Sequence, residues 1–128
     1  MTNNMIFSEL HDSTLHSISV ENGAQVTFIF ELVDGSRNKI SVGNAVQLLC
    51  SDFLLGNIVF ECGYWNSPQC INKGILPVSE YVEIDDIVDQ FKEEMAAGTT
   101  CIFYVSSSYG ANLYCVGDRP ILQEVRQA

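Results

Sequence analysis

The sequence predicts an α+β fold: one domain over residues 1–128, with an antiparallel sheet of about six strands built from hairpins and two helices, over about 44–55 and 85–97. Three observations predict it. Short β-branched and aromatic runs are divided by Asn-Gly and Asp-Gly pairs, which supply the backbone freedom of tight turns between antiparallel strands. Two stretches switch to apolar spacing of three and four, the period of a helix. No internal repeat, low-complexity tract or Pro/Gly/Ser-rich linker marks a second domain.

The first hairpin spans Leu15 to Glu21 and Gln25 to Leu32, around Asn22-Gly23. A two-residue loop would pair Ser19 with Val26 and split the apolar residues between the two faces. A three-residue loop, Asn22-Gly23-Ala24, pairs Val20 with Val26, Ile18 with Phe28 and His16 with Phe30. That register gathers the apolar set on one face, so it is the expected one, and it turns His16 inward. Asp34-Gly35 then turns the chain into a strand from Lys39 to Val42 that extends the meander.

Asn44 is placed to cap a helix in which Val46, Leu49, Cys50 and Phe53 form one stripe and Gly56 ends the last turn. Asn57 to Tyr64 reads as a strand with Ile58, Val59 and Phe60 at its core, and a loop from Trp65 through Pro68 runs on to Gly74. Residues Ile75 to Glu83 fit either a strand or the start of a helix. Ile84, Ile87, Val88, Phe91 and Met95 form the stripe of the second helix, closed by Gly98. Thr99 to Val105 and Leu113 to Val116 make a second hairpin over Tyr109-Gly110-Ala111-Asn112. Both of its faces are apolar, so it belongs at the centre of the sheet, covered on at least one side by a helix. Its expected register sets Cys115 opposite Ser106, with Cys101 on the other face. Pro120 suits an edge or a turn.

Composition narrows the function. The chain has 128 residues, 47% of them hydrophobic, enough for one packed core without metal or disulfide staples. Sixteen acidic residues against six basic ones leave a formal charge of −10, which repels nucleic acid and anionic membranes and favours basic partners. No apolar run reaches the ~20 residues of a membrane helix, and the first residues lack the pattern of a signal peptide, so the cytoplasm is the expected compartment. Five scattered cysteines, an odd number without close pairs, read as reduced thiols.

The densest group of polar side chains is Leu10-His11-Asp12-Ser13-Thr14-Leu15-His16. A small-molecule or catalytic pocket near His11 and Asp12 is one reading. Turn and capping roles for Asp12 and Ser13, with His16 packed inward, are the plainer one. There is no nucleophile elbow, phosphate-binding glycine loop or dinucleotide fingerprint, so no cofactor or metal is expected and no catalytic set is assigned. On the second helix, Asp86, Asp89 and Glu93 lie opposite the apolar stripe, with Glu94 beside them and Lys92 the one base. Such a ridge is either a solvated face or a surface for a basic partner. Tyr64 and Trp65 enter a loop, where large amphipathic side chains serve as interface anchors, or else they cap the core.

The run His11-Asp12-Ser13-Thr14-Leu15, leading into a strand and an Asn-Gly hairpin, resembles a broad group of small bacterial proteins. Some of these are similar to immunity proteins of polymorphic toxin systems. The likeness covers roughly Phe7 to Leu32, with a weaker echo over Asn44 to Phe60, and carries over no functional residue. The expected function is therefore an acidic protein-binding module, such as an immunity protein or inhibitor of a basic toxin, with Asp86, Asp89, Glu93, Glu94, Tyr64 and Trp65 as its contact residues. A structural homo-oligomer joined through a sheet edge is a further alternative.

Overall fold

The computed structural model describes residues 4–67 and 84–125. Among the described residues nine strands and one helix follow in order: β1 (Asn4–Ile6), a 3-10 turn (Ser8–Leu10), β2 (Thr14–Glu21), β3 (Gln25–Glu31), β4 (Arg37–Val42), β5 (Gln47–Ser51), β6 (Asn57–Trp65), α1 (Ile84–Ala96), β7 (Cys101–Tyr109), β8 (Asn112–Gly117) and β9 (Ile121–Val125). This is a small β-rich domain, and it corrects the expected α+β fold of six strands and two helices. The expectations for Pro68 to Gly74 and for Ile75 to Glu83 lie outside the described residues.

All pairings are antiparallel, in the order β5-β8-β7-β6-β2-β3-β4-β9, with β1 on a free part of β6. Two ladders, β6-β7-β8 and β2-β3-β4, meet through only two residue pairs, Thr14↔Ile58 and Leu15↔Asn57. So short a junction lets the sheet fold over on itself, and the two halves bury their apolar faces against each other. Leu10, Leu15, Phe28, Phe30, Ile40, Phe103 and Cys115 belong to this first core. Its centre is marked by the rings of Phe28 and Phe103, 4.8 Å apart. A second core lies on the far side of β7 and β8, where α1 packs Ile87 and Met95 onto Trp65, Ile102, Tyr104 and Tyr114. The central hairpin is thus apolar on both faces because both are covered, as expected.

The first hairpin has the three-residue loop: Glu21 pairs with Gln25, Val20 with Val26 and Ile18 with Phe28, and Asn22 and Gly23 both take positive φ. Beyond Ile18 the register slips. Leu15, not His16, faces Phe30, because a bulge between Leu15 and Ser17 takes up one residue and leaves His16 exposed. The expectation of an inward His16 is overturned by that bulge, which keeps the larger apolar side chain in the core.

The helix expected over 44–55 is the strand β5. Asn44 and Asp52 bracket it with φ of 47° and 57°, which no helix accommodates. The Asn44 side chain donates to Asp118 Oδ2 at 2.8 Å instead of capping a helix. β5 runs along β8 between the two cores, with Leu48 and Cys50 against the first and Leu49 against the second. A strand half-buried on both faces loses strict alternation, and here the apolar residues happened to match a helical stripe.

In the second hairpin Cys115 lies opposite Phe103, not Ser106, and Cys101 opposite Gly117, so Cys101 and Cys115 share a face. Gly110, with φ of 95°, turns this hairpin directly against Asn57. Cys50, Cys62 and Cys115 are free thiols. Cys70 lies outside the described residues.

Candidate functional site

α1 holds the acidic ridge in place through its opposite face. Ile87 and Met95 are buried and Val88 and Phe91 partly so, which fixes the helix rotation and leaves Asp86, Asp89, Glu93 and Glu94 exposed beside Lys92. The helix ends where Gly98, with φ of 79°, donates its N–H to Met95 O, while Thr99 donates from both N–H and Oγ1 to Glu94 O. Among the described residues no basic side chain pairs with any of the four carboxylates, so the ridge presents its charge to solvent.

Tyr64 and Trp65 lie elsewhere. Both belong to β6 rather than to a loop, and both are buried, Trp65 completely. The Trp65 ring stacks on Tyr104 with centroids 4.2 Å apart, and Tyr64 accepts a hydrogen bond from Arg119 Nε at 2.9 Å. These two are packing residues and not the exposed anchors that a loop would have made them.

The His11-Asp12-Ser13 segment is a tight connection between the 3-10 turn and β2. Ser13 is buried and donates through Oγ to Leu10 O at 2.6 Å. Asp12 adopts a φ of 66° and donates its N–H to Val59 O, while Val59 N–H donates back to Ser13 O. His11 Nδ1 sits 2.6 Å from Phe60 O and so donates to it, and its ring meets Phe60 edge-on. Nε2 is 3.5 Å from Asp12 Oδ1. The residues singled out in the sequence thus lock the chain entering β2 onto β6, as turn and capping chemistry requires.

Beside them opens a cleft of about 410 Å³ lined by Ile6, Phe7, His11, Phe60, Glu61 and Cys62. Burial pushes the Cys62 thiol well above the usual range, and the charges of Glu9 and Glu61 push it further. Among the described residues no three His, Cys, Asp or Glu side chains group to hold a metal ion. A shallow groove of about 640 Å³ crosses the outer face of β2, β3, β4 and β9, with Thr27, Lys39 and Gln123 on its walls.

One surface was missed in the sequence. Ile58 and Phe60, read there as core, are exposed on β6, and Tyr109, the cross-strand partner of Ile58, is exposed on β7. Register shifts on both sides of Val59 turn these side chains outward. Phe53, Leu54 and Leu55 are also exposed, on the turn that the Asn57 side chain ties to β6 through Leu54 N–H at 2.8 Å and Leu54 O at 2.7 Å.

The architecture is shared. A solved structure, that of an uncharacterized protein from Neisseria gonorrhoeae, is similar with a TM-score of 0.55 over 98% of this chain and 99% of that one, at 12% identity. At that identity the likeness extends to the fold alone. No family model matches the chain, and no curated protein matches it in sequence. No helix among the described residues is long and apolar enough to cross a membrane.

Proposed function

We propose that this chain is an acidic protein-binding module that engages a basic protein in the cytoplasm, its specific form being an immunity protein or inhibitor of a basic toxin. The observation that carries the reading is charge: a formal −10 on 128 residues, with Asp86, Asp89, Glu93 and Glu94 exposed on one helix face and paired with no basic side chain among the described residues. A field of that sign speeds encounter with a positively charged partner and keeps like-charged proteins apart. The toxin-neutralising form rests on the resemblance of the His11-Asp12-Ser13-Thr14-Leu15 segment. The cytoplasmic assignment is supported by the free thiols of Cys50, Cys62 and Cys115, which a reducing compartment preserves.

The test is affinity capture on the immobilised protein from native lysate, at low salt and at about 0.5 M salt, where screening shrinks the reach of surface charge to a few ångströms. A basic protein retained in stoichiometric amount at low salt and released by salt is expected. An eluate with no basic protein enriched over a neutral control domain would overturn the reading.

A further inference from the structure

We infer that the docking face for that partner is the apolar patch of Ile58, Phe60 and Tyr109 with the adjoining His11 cleft, and that its occupant is a basic protein presenting an apolar anchor ringed by lysine or arginine. The inference rests on the protein-binding reading and names the surface through which it works. Continuity is the first argument. Ile58 pairs with Tyr109, Ser108 Oγ donates to Ile58 O at 3.3 Å, and the His11 ring sits on Phe60 at the mouth of the cleft. Ile58 is 41% exposed, Phe60 53% and Tyr109 58%. Scattered single apolar residues need no explanation, but a contiguous group of large ones on a protein of this size marks an interaction surface.

Position is the second argument. β7 is buried from Cys101 to Ser106 and exposed at Ser108 and Tyr109, so its covered part ends where the patch begins. The patch lies on the paired strands β6 and β7, next to Asn57, whose carboxamide is hydrogen-bonded through both oxygen and nitrogen. Such a surface needs little ordering on binding. The cleft of about 410 Å³ beside it has an apolar lining with one imidazole and one carboxylate at its edge, a recess that fits an anchoring side chain.

Charge selects the occupant. The cleft carries Glu61 in its wall, and exposed Asp12 lies 3.5 Å from the His11 imidazole at its edge. A second copy of the chain would set these carboxylates against their own kind and bring two charges of −10 together. A partner with a basic ring around an apolar anchor meets the rim with opposite charge and fills the centre with apolar contact.

The experiment measures binding of the captured basic protein to wild type, to Tyr109→Asp and Phe60→Asp singly, and to the ridge variant Asp86→Lys/Asp89→Lys/Glu93→Lys, with sedimentation of each protein alone and circular dichroism as a check of folding. Both patch side chains are more than half exposed, so the variants should keep the fold. Affinity at least tenfold weaker for both patch variants, mainly through faster dissociation, is the expected result, while the ridge variant changes chiefly the association rate. Patch variants binding within twofold of wild type would overturn this surface and leave the acidic reading standing on α1. A wild-type dimer dispersed by Tyr109→Asp would overturn the basic occupant in favour of a second copy. Capture of no basic protein at all would remove the reading itself and this surface with it.

Discussion

Asn57 shows how much one side chain can hold. Completely buried, it accepts N–H groups from Leu54 and Ala111 at 2.8 and 3.0 Å and donates to Leu54 O and Leu15 O at 2.7 and 3.2 Å. It joins β2, the turn after β5 and the tip of the β7-β8 hairpin. Asn57→Ala strands two N–H and two carbonyl groups, and should cost about 2 to 4 kcal/mol in urea unfolding. His16 is the opposite case. Exposed in its bulge, it should lose less than ~0.5 kcal/mol on His16→Ala in the same assay. Cys115 links stability to alkaline pH, because burial pushes its thiol up from an ordinary 9.0 to about 12. Above about pH 9 the unfolded chain releases a proton that the folded chain keeps, so stability is full below that pH and falls as pH rises toward 12. The loss of urea midpoint between about pH 8 and about pH 10.5 should therefore be larger in wild type than in Cys115→Ala.

At the scale of elements, β5 is the informative one. As a strand it turns Leu48 into the first core and leaves Val46 and Phe53 exposed, whereas a helix over the same residues would bury Val46 and Phe53 together. Leu48→Ala should cost about 1 to 3 kcal/mol, since a partly buried leucine loses less than a fully enclosed one. Val46→Ala should stay within ~0.5 kcal/mol, measured by thermal melting. The reverse order would restore the helix. α1 is legible in sequence for the converse reason: its outer face stays wet, so its stripe is unbroken by a second apolar surface.

For the whole molecule, shape and charge act together. The sheet curls because its two ladders share only the Thr14 and Leu15 pairs with β6, and curling creates the enclosed core while leaving the Ile58–Phe60 patch outside. Over this body the net −10 acts at a range of about a Debye length, ~8 Å in physiological salt. Reversing Asp86, Asp89 and Glu93 to lysine removes six units of negative charge without touching Ile87, Phe91 or Met95. Each substitution should change stability by less than ~0.5 kcal/mol. Stopped-flow mixing with the basic partner should show slower association and a flatter salt dependence than wild type.

What the sequence by itself determined is local. The three-residue hairpin loop at Asn22-Gly23-Ala24, the strand from Asn57, the amphipathic α1 with its acidic ridge and the doubly covered β7-β8 hairpin all follow from turn chemistry and periodicity between near neighbours. What only the tertiary structure decided depends on residues far apart in the chain. β5 is a strand because β8 offers it an edge and two cores cover it; His16 is outside because a bulge lets Leu15 take the buried place. Trp65 is inside because Tyr104 and α1 enclose it, and Phe60 is outside because register shifts in β6 turn it away from the core. A bulge moves one residue by one position, too small a change to alter composition or period, yet it exchanges the two faces of a strand. That is why the acidic ridge could be read along the chain, and the apolar face beside His11 only across it.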